Sequence, residues 1–353
     1  MITRDLIVVG QGLAGSILAM KLMERGLSVM VIGEPGLSMC SKVAAGIWNP
    51  VVFKRLSKSW KADEVLPEMY SFYRRAEKDL GTELLTERNI IKLFSEQQEI
   101  DLWLRKADGE LSGYLDKTIY TAPVNGIRNS PLGYAKVLHS GNLDVNAFLD
   151  GVRKYLIKIE SYMEEKFDHQ QLETGAEVRY GNISAKGIIF SEGYLIKHNP
   201  FFSYIPMKPA KGEVMQVELD TATSTNDIIN KNSFLLPLNG KLCKAGATYN
   251  WQDLNDNISA EGLAELKDKL QRMLETGFSV IKQEAGVRPS VIDRRPVLGS
   301  HPKHKSVYLF NGMGTKGVML APYFAQRLVD YIGSGKALED EVNLSRFDRF
   351  FVI

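Results

Sequence analysis

The sequence predicts an α/β fold in two interleaved parts. One is a layer of parallel strands and helices that is discontinuous along the chain; the other is an inserted β-rich (α+β) part. Three observations predict it. Gly10-Gln11-Gly12-Leu13-Ala14-Gly15 directly follows the apolar run Leu6-Ile7-Val8-Val9. Gly312-Met313-Gly314-Thr315-Lys316-Gly317 directly follows Val307-Tyr308-Leu309-Phe310. Between these strand, glycine-turn and helix units, the stretch beyond Gly193 reads mainly as a succession of short strands.

The elements follow in order. Asp5–Val9 is β-branched and apolar, as a strand buried on both faces of a parallel sheet should be. Gly10 permits the tight turn, Gly12 lets the backbone approach a pyrophosphate, and Gly15 allows close helix–strand packing. The next helix carries Ile17, Leu18, Ala19, Leu22 and Met23 and stops at Gly26. Val29–Ile32 is strand two. An acidic residue is expected at its end for ribose hydroxyls; Gly33 holds that slot, so the role falls to Glu34. Ala62–Leu80 is spaced as an amphipathic helix, Asp144–Tyr155 as another, and Gly187–Gly193 as a buried strand ending in a glycine turn. Strands at 212–219, 233–238 and 242–248 precede a helix that Ser259 caps. The pattern assigns residues 1–80, 139–200 and 285–353 to a Rossmann-like nucleotide domain, and 81–138 and 201–284 to a substrate domain.

Composition narrows the class. A chain of 353 residues with 44% hydrophobic content buries a sizeable core, and a net charge of +2 argues against nucleic acid as a bulk electrostatic partner. Cys40 and Cys243 are the only cysteines, so neither a disulfide framework nor a thiolate metal cluster is expected. No run reaches the 18 or so apolar residues of a membrane span. With no leader pattern at the N-terminus, the expected location is cytoplasmic. Oligomeric state stays open. Helix N-termini at two distant points suit a cofactor with two parts needing such ends, as a flavin dinucleotide has.

The segment from Ala285-Gly286-Val287-Arg288-Pro289 through Asp293, Pro296 and Gly299, followed by Gly312–Gly317 and Ala321-Pro322, resembles the D-amino-acid oxidase/glycine oxidase family. Ser41-Lys42-Val43-Ala44-Ala45-Gly46, Pro209–Glu213, Pro237 and Gly246-Ala247-Thr248 extend the likeness to nearly the whole chain, residues 80–140 least. The resemblance implies a two-domain FAD enzyme oxidising the C–N bond of an amine or amino acid by hydride transfer to flavin N5. Oxygen or an unknown acceptor takes the electrons. It assigns FAD contacts to Gly10, Gly12, Leu13, Ala14, Gly15, Glu34, Ser41, Ala44, Ala45, Gly46, Gly193, Gly312, Gly314, Thr315, Lys316 and Gly317. Gly312 and Gly314 are expected to let main chain approach the flavin ring, with a helix starting near Thr315. Pro322 then falls in its first turns, where a missing N–H costs little. No cysteine lies in Ala285–Asp293, and Cys40 is far off in the chain, so noncovalent FAD is expected.

Arg288 is the candidate for the substrate carboxylate, since a guanidinium fork matches it bidentately; a structural pair with Asp293 is the competing role. Phe234 stands where glycine oxidase presents a tyrosine hydroxyl, which puts a simple amino-acid substrate in doubt. Phe234, Tyr249, Trp251 and Trp48 are candidate pocket walls, each equally suited to packing. The five histidines lie outside the motifs and read as surface or core. Lys54, Arg55, Lys58 and Lys61 form a basic run around Trp60, either a solvated face or a guide for a larger anionic substrate, including an RNA-borne amine as in tRNA-modification oxidases. Two other readings stand beside the oxidase. An NAD-dependent dehydrogenase leaves the C-terminal glycines unexplained, and a flavin-binding module without activity is favoured by Phe234 and the displaced Glu34.

Overall fold

The computed structural model describes residues 1–35, 40–128 and 132–351. The chain begins β1 (Ile2–Val9), α1 (Leu13–Glu24), β2 (Val29–Gly33), α2 (Ala62–Leu80), β3 (Ile90–Leu93), α3 (Gln97–Asp108) and β4 (Tyr134–Val137). It continues α4 (Val145–Lys158), β5 (Tyr162–Glu164), β6 (Ile183–Phe190), β7 (Ala210–Leu219), β8 (Ile228–Asn230), β9 (Phe234–Asn239) and β10 (Leu242–Gly246). Last come α5 (Ala260–Met273), β11 (Phe278–Arg288), β12 (Val297–Ser300), β13 (Val307–Asn311) and α6 (Gly317–Ser334).

Two large sheets organise these elements. In the first, β5, β2, β1, β6 and β13 run parallel, so strands from the start, middle and end of the chain lie side by side. Apart from the half-exposed edge strand β5, their near-continuous apolar sequences are buried on both faces, as parallel strands require. Helices α1, α2, α4 and α6 share the core on one face with Val8, Val31 and Ile189. The second sheet has seven strands in the order β11-β7-β10-β9-β8-β3-β4. Strand β11 runs unbroken to Arg288 and therefore crosses the boundary expected at residue 285. Among the described residues no helix is long and apolar enough to cross a membrane.

Local chemistry fixes the ends of the helices. The Asp144 carboxylate accepts from Ala147 N at 2.9 Å and Ser259 Oγ accepts from Gly262 N at 3.0 Å, capping α4 and α5. Helix α6 starts at Gly317 rather than Thr315, which makes Pro322 its sixth residue. Its missing N–H therefore frees the carbonyl of Val318, and the buried Tyr73 hydroxyl of α2 donates to that oxygen at 3.2 Å. The proline is compensated by a second helix, not by its position.

Candidate active site

One cavity of about 1450 Å³ lies between the two sheets, and the glycine segments meet on its wall. Gly10 turns with φ +102°, a conformation that favours glycine. Its neighbour Gly12 starts α1 and has open space on the cavity side, where the nearest atom to an added Cβ is Ser41 Oγ at 3.5 Å. Gly10, Gly12, Leu13, Ala14, Glu34, Ser41, Ala44, Ala45, Gly46, Gly193, Gly314, Thr315 and Gly317 all line the cavity. Leu13 N donates to Ser41 Oγ at 3.1 Å, so the serine hydroxyl, not that amide, is the group presented there. Ser191 also lines the cavity, and its buried hydroxyl has no hydrogen-bond partner. Gly33 has a physical reason to replace the usual acid: a Cβ there would lie 2.5 Å from Tyr162 Oη and 3.1 Å from Gln11 Cβ. Glu34 is the next residue and reaches the cavity.

Three expected cofactor residues do not line it. A Cβ at Gly15 would overlap the carbonyl of Gly10, so this glycine serves helix–strand packing. Gly312 (φ +78°) is closed in by Val291, Arg295 O and Val297 N; its bare Cα accommodates protein, not a ring. The Lys316 ammonium points to Asn49 O and Ser59 Oγ, and burial without an acidic partner pushes it down to about 8. Residues that the sequence reading missed fill the wall. His169 and the exposed His198 line it. Asp256 does too: burial pushes its carboxyl up, partly offset by the Val287 N–H it accepts. Cys40 is far from Ala285–Asp293 in sequence but near in space, with its Cβ 3.5 Å from where a Gly286 Cβ would stand. Burial pushes its thiol up to about 11. Asp256 lies in an aperiodic loop and gives no sequence signal. Lys92, by contrast, is an ionisable residue in the apolar run Ile90-Ile91-Lys92-Leu93, which is a signal.

Arg288 is held on three sides. Its guanidinium lies against bare Gly212, where any Cβ would overlap it, and stacks 4.1 Å from the centre of the Tyr249 ring. It donates to the carbonyls of Lys211 and Thr248 at 3.3 Å. The expected alternative partner is taken elsewhere: Asp293 pairs with Arg346 at 2.8 Å. Among the described residues Arg288 makes no ion pair. Phe234 and Tyr249 also line the cavity, Tyr249 at its exposed rim. Trp48 does not: it is buried, donates to His139 O at 3.0 Å and stands edge-on to Tyr70. Trp251 is an exposed neighbour of Tyr249. In the basic run, Lys58 pairs with Asp63 and Lys61 with Glu64 and Glu339, which leaves Lys54 at the cavity and Arg55 exposed. Half the run is neutralised, a poor surface for nucleic acid.

Residues 5–331 match the family described as FAD dependent oxidoreductase. The chain belongs to that family. FAD is accordingly its cofactor and oxidation–reduction its chemistry, which removes the NAD-dependent reading. The chain is 25% identical over 175 residues to glycine oxidase of Bacillus subtilis, covering 48% of this chain and 47% of that protein. It is 27% identical over 138 residues to the tRNA 5-methylaminomethyl-2-thiouridine biosynthesis bifunctional protein MnmC of Marinobacter nauticus, covering 36% of this chain and 22% of that one. These matches span less than half of either relative. The fold is similar over 98% of both chains to glycine oxidase from Geobacillus kaustophilus, with a TM-score of 0.77 at 19% identity. It is similar as well to iminodiacetate oxidase from Chelativorans sp. BNC1, with a TM-score of 0.77 at 18% identity, covering 97% and 98% of the two chains. The open space at Gly12, the unpartnered Ser191 hydroxyl and the size of the cavity fit this dinucleotide.

Proposed function

We propose that this FAD-dependent oxidoreductase oxidises the C–N bond of an amine that carries a carboxylate. FAD, when bound, supplies a two-electron acceptor for hydride at N5. The chain's own residues bind and orient. Gly12, Ser41 and Ser191 face the pyrophosphate-type anion, Glu34 the ribose hydroxyls, and Gly314, Thr315 and Gly317 bring main chain and the positive end of α6 to the far part of the cofactor. Arg288 takes the substrate carboxylate, which fixes the neighbouring carbon. That carbon gives up its C–H bond with both electrons, the neutral amine's lone pair closes a C=N bond, and water hydrolyses the resulting iminium to a carbonyl compound and an amine. Oxygen or another acceptor would take up the two electrons removed from the substrate. Noncovalent attachment is part of the proposal, supported by the absence of a cysteine from Ala285–Asp293.

The observation that carries this reading is the guanidinium of Arg288, fixed in the cavity with no acidic partner. Its test is anaerobic mixing of the yellow protein with a panel of amino acids and N-alkyl amino acids. Loss of the flavin absorbance with at least one of them is expected. A panel that leaves the spectrum unchanged throughout would favour a flavin-binding module without activity.

A further inference from the structure

The second sheet carries a row of cavity-lining residues that extends well beyond the Arg288 corner. Lys92 of β3 is paired in register with Asn230 of β8, Asn230 with Phe234 of β9, Phe234 with Gly246 of β10, and Gly246 with Val214 of β7. All five line the same cavity. Neighbouring strands stand about 4.8 Å apart, so this floor is roughly 19 Å wide before β11 and Arg288 are reached. At the end remote from Arg288 the wall turns polar. Lys92 Nζ bonds Glu99 Oε1 at 2.9 Å, and Glu99 Oε2 accepts from Ser95 N at 2.6 Å. Among the described residues the ammonium makes no other hydrogen bond. The Asn230 carboxamide has no protein partner among the described residues. A wall that offers an ammonium, a carboxylate and a free carboxamide together suits a group with both charge signs.

We propose that Lys92, Glu99 and Asn230 form a distal subsite for the zwitterionic far end of an elongated amino-acid substrate, whose reacting carboxylate end lies at Arg288. The proposal rests on the amine-oxidation reading above. It places this protein's substrate in the class of N-substituted amino acids with a second amino-acid head, joined by a chain long enough to pass Phe234. Phe234 then offers the methylene linker an apolar face with no hydroxyl to leave unpaired.

The test uses the FAD-loaded protein, titrated anaerobically with sarcosine and with α,ω-diamino acids carboxymethylated on the ω-nitrogen, three to seven methylenes long. N-carboxymethyl-hexylamine is the comparator without a distal head. Dissociation constants come from the perturbation of the flavin spectrum and rates from flavin reduction. One length in the series is expected to bind roughly tenfold or more tighter than the hexylamine comparator, the scale of one or two hydrogen bonds to a charged group. Lys92→Met and Glu99→Gln should each erase that advantage while leaving sarcosine binding and FAD content as in the parent. Using both variants guards against one of them misfolding. Equal binding of all probes, or a length advantage that survives in both variants, would overturn the distal subsite. If sarcosine alone reduces the flavin, only the subsite fails; if no probe reduces it, the amine-oxidation reading fails with it.

Discussion

At Gly12 an added side chain would meet nothing but the Ser41 hydroxyl, whereas at Gly15 it would overlap the Gly10 carbonyl. Two adjacent motif glycines therefore fail in different ways. Gly12→Val should fold with an unchanged melting temperature as apoprotein and bind no FAD, as equilibrium dialysis with added FAD would read. Gly15→Val should lose stability, by at least the ~1–3 kcal/mol typical of overpacking, as chemical denaturation would read. Gly212 is a third case. Its negative-φ backbone tolerates alanine, yet the new methyl would take the space of the Arg288 guanidinium. Gly212→Ala should weaken binding of a carboxylate inhibitor several-fold at least and keep FAD content, because only the fork is displaced. Residue roles of this kind were half legible in the sequence. Gly10, Gly12 and Glu34 follow from the local pattern, but Gly312 and Lys316 sit in an equally good motif and face the protein. What separates them is the packing of Val291, Arg295 and Val297 around one, and of Asn49 and Ser59 around the other. These partners come from remote positions that no local spacing encodes.

Among the elements, α6 shows most clearly how neighbours complete what the sequence leaves unsatisfied. Pro322 removes a donor inside the helix, and Tyr73 of α2 supplies the replacement for Val318 O. Tyr73→Phe leaves that buried carbonyl unpaired and should cost ~1–3 kcal/mol in denaturant unfolding, with FAD stoichiometry preserved. The residue before α6 gives a pH signature. Lys316 falls from an ordinary 10.5 to about 8 because burial disfavours its charge. Between these two values the unfolded chain binds more protons than the folded one, so this group makes stability rise with pH over about 8 to 10.5. Lys316→Met should flatten that rise relative to the parent, measured by unfolding at a series of pH values; an identical slope in both proteins would contradict the assignment. Helices α2, α4 and α5 were legible to within a few residues, because their apolar periodicity and caps lie within each segment. The order of the second sheet was not, since β3 pairs with β8 well over a hundred residues further along the chain, and β4 joins through β3.

The whole molecule brings four remote chain segments to one cavity: the turn after β1, the stretch from Cys40 to Gly46, the end of β11, and the turn between β13 and α6. The two glycine motifs signal a bipartite cofactor from sequence alone. That Cys40 stands beside Gly286 is a property of the assembled fold, and it makes acid precipitation a pointed check. FAD is expected in the supernatant, while flavin retained in the pellet would mean that a thiol within reach had reacted. At this scale the account depends on Arg288 acting on a carboxylate. The direct measurement compares anaerobic flavin reduction by a carboxylate-bearing amine and by the same amine without the carboxylate, in the parent and in Arg288→Lys. A strong preference for the carboxylate is expected in the parent. Lysine keeps the charge but loses the planar fork, so that preference should fall sharply in the variant while FAD content stays the same. Equal rates with both amines in the parent, or an undiminished preference in Arg288→Lys, would contradict it.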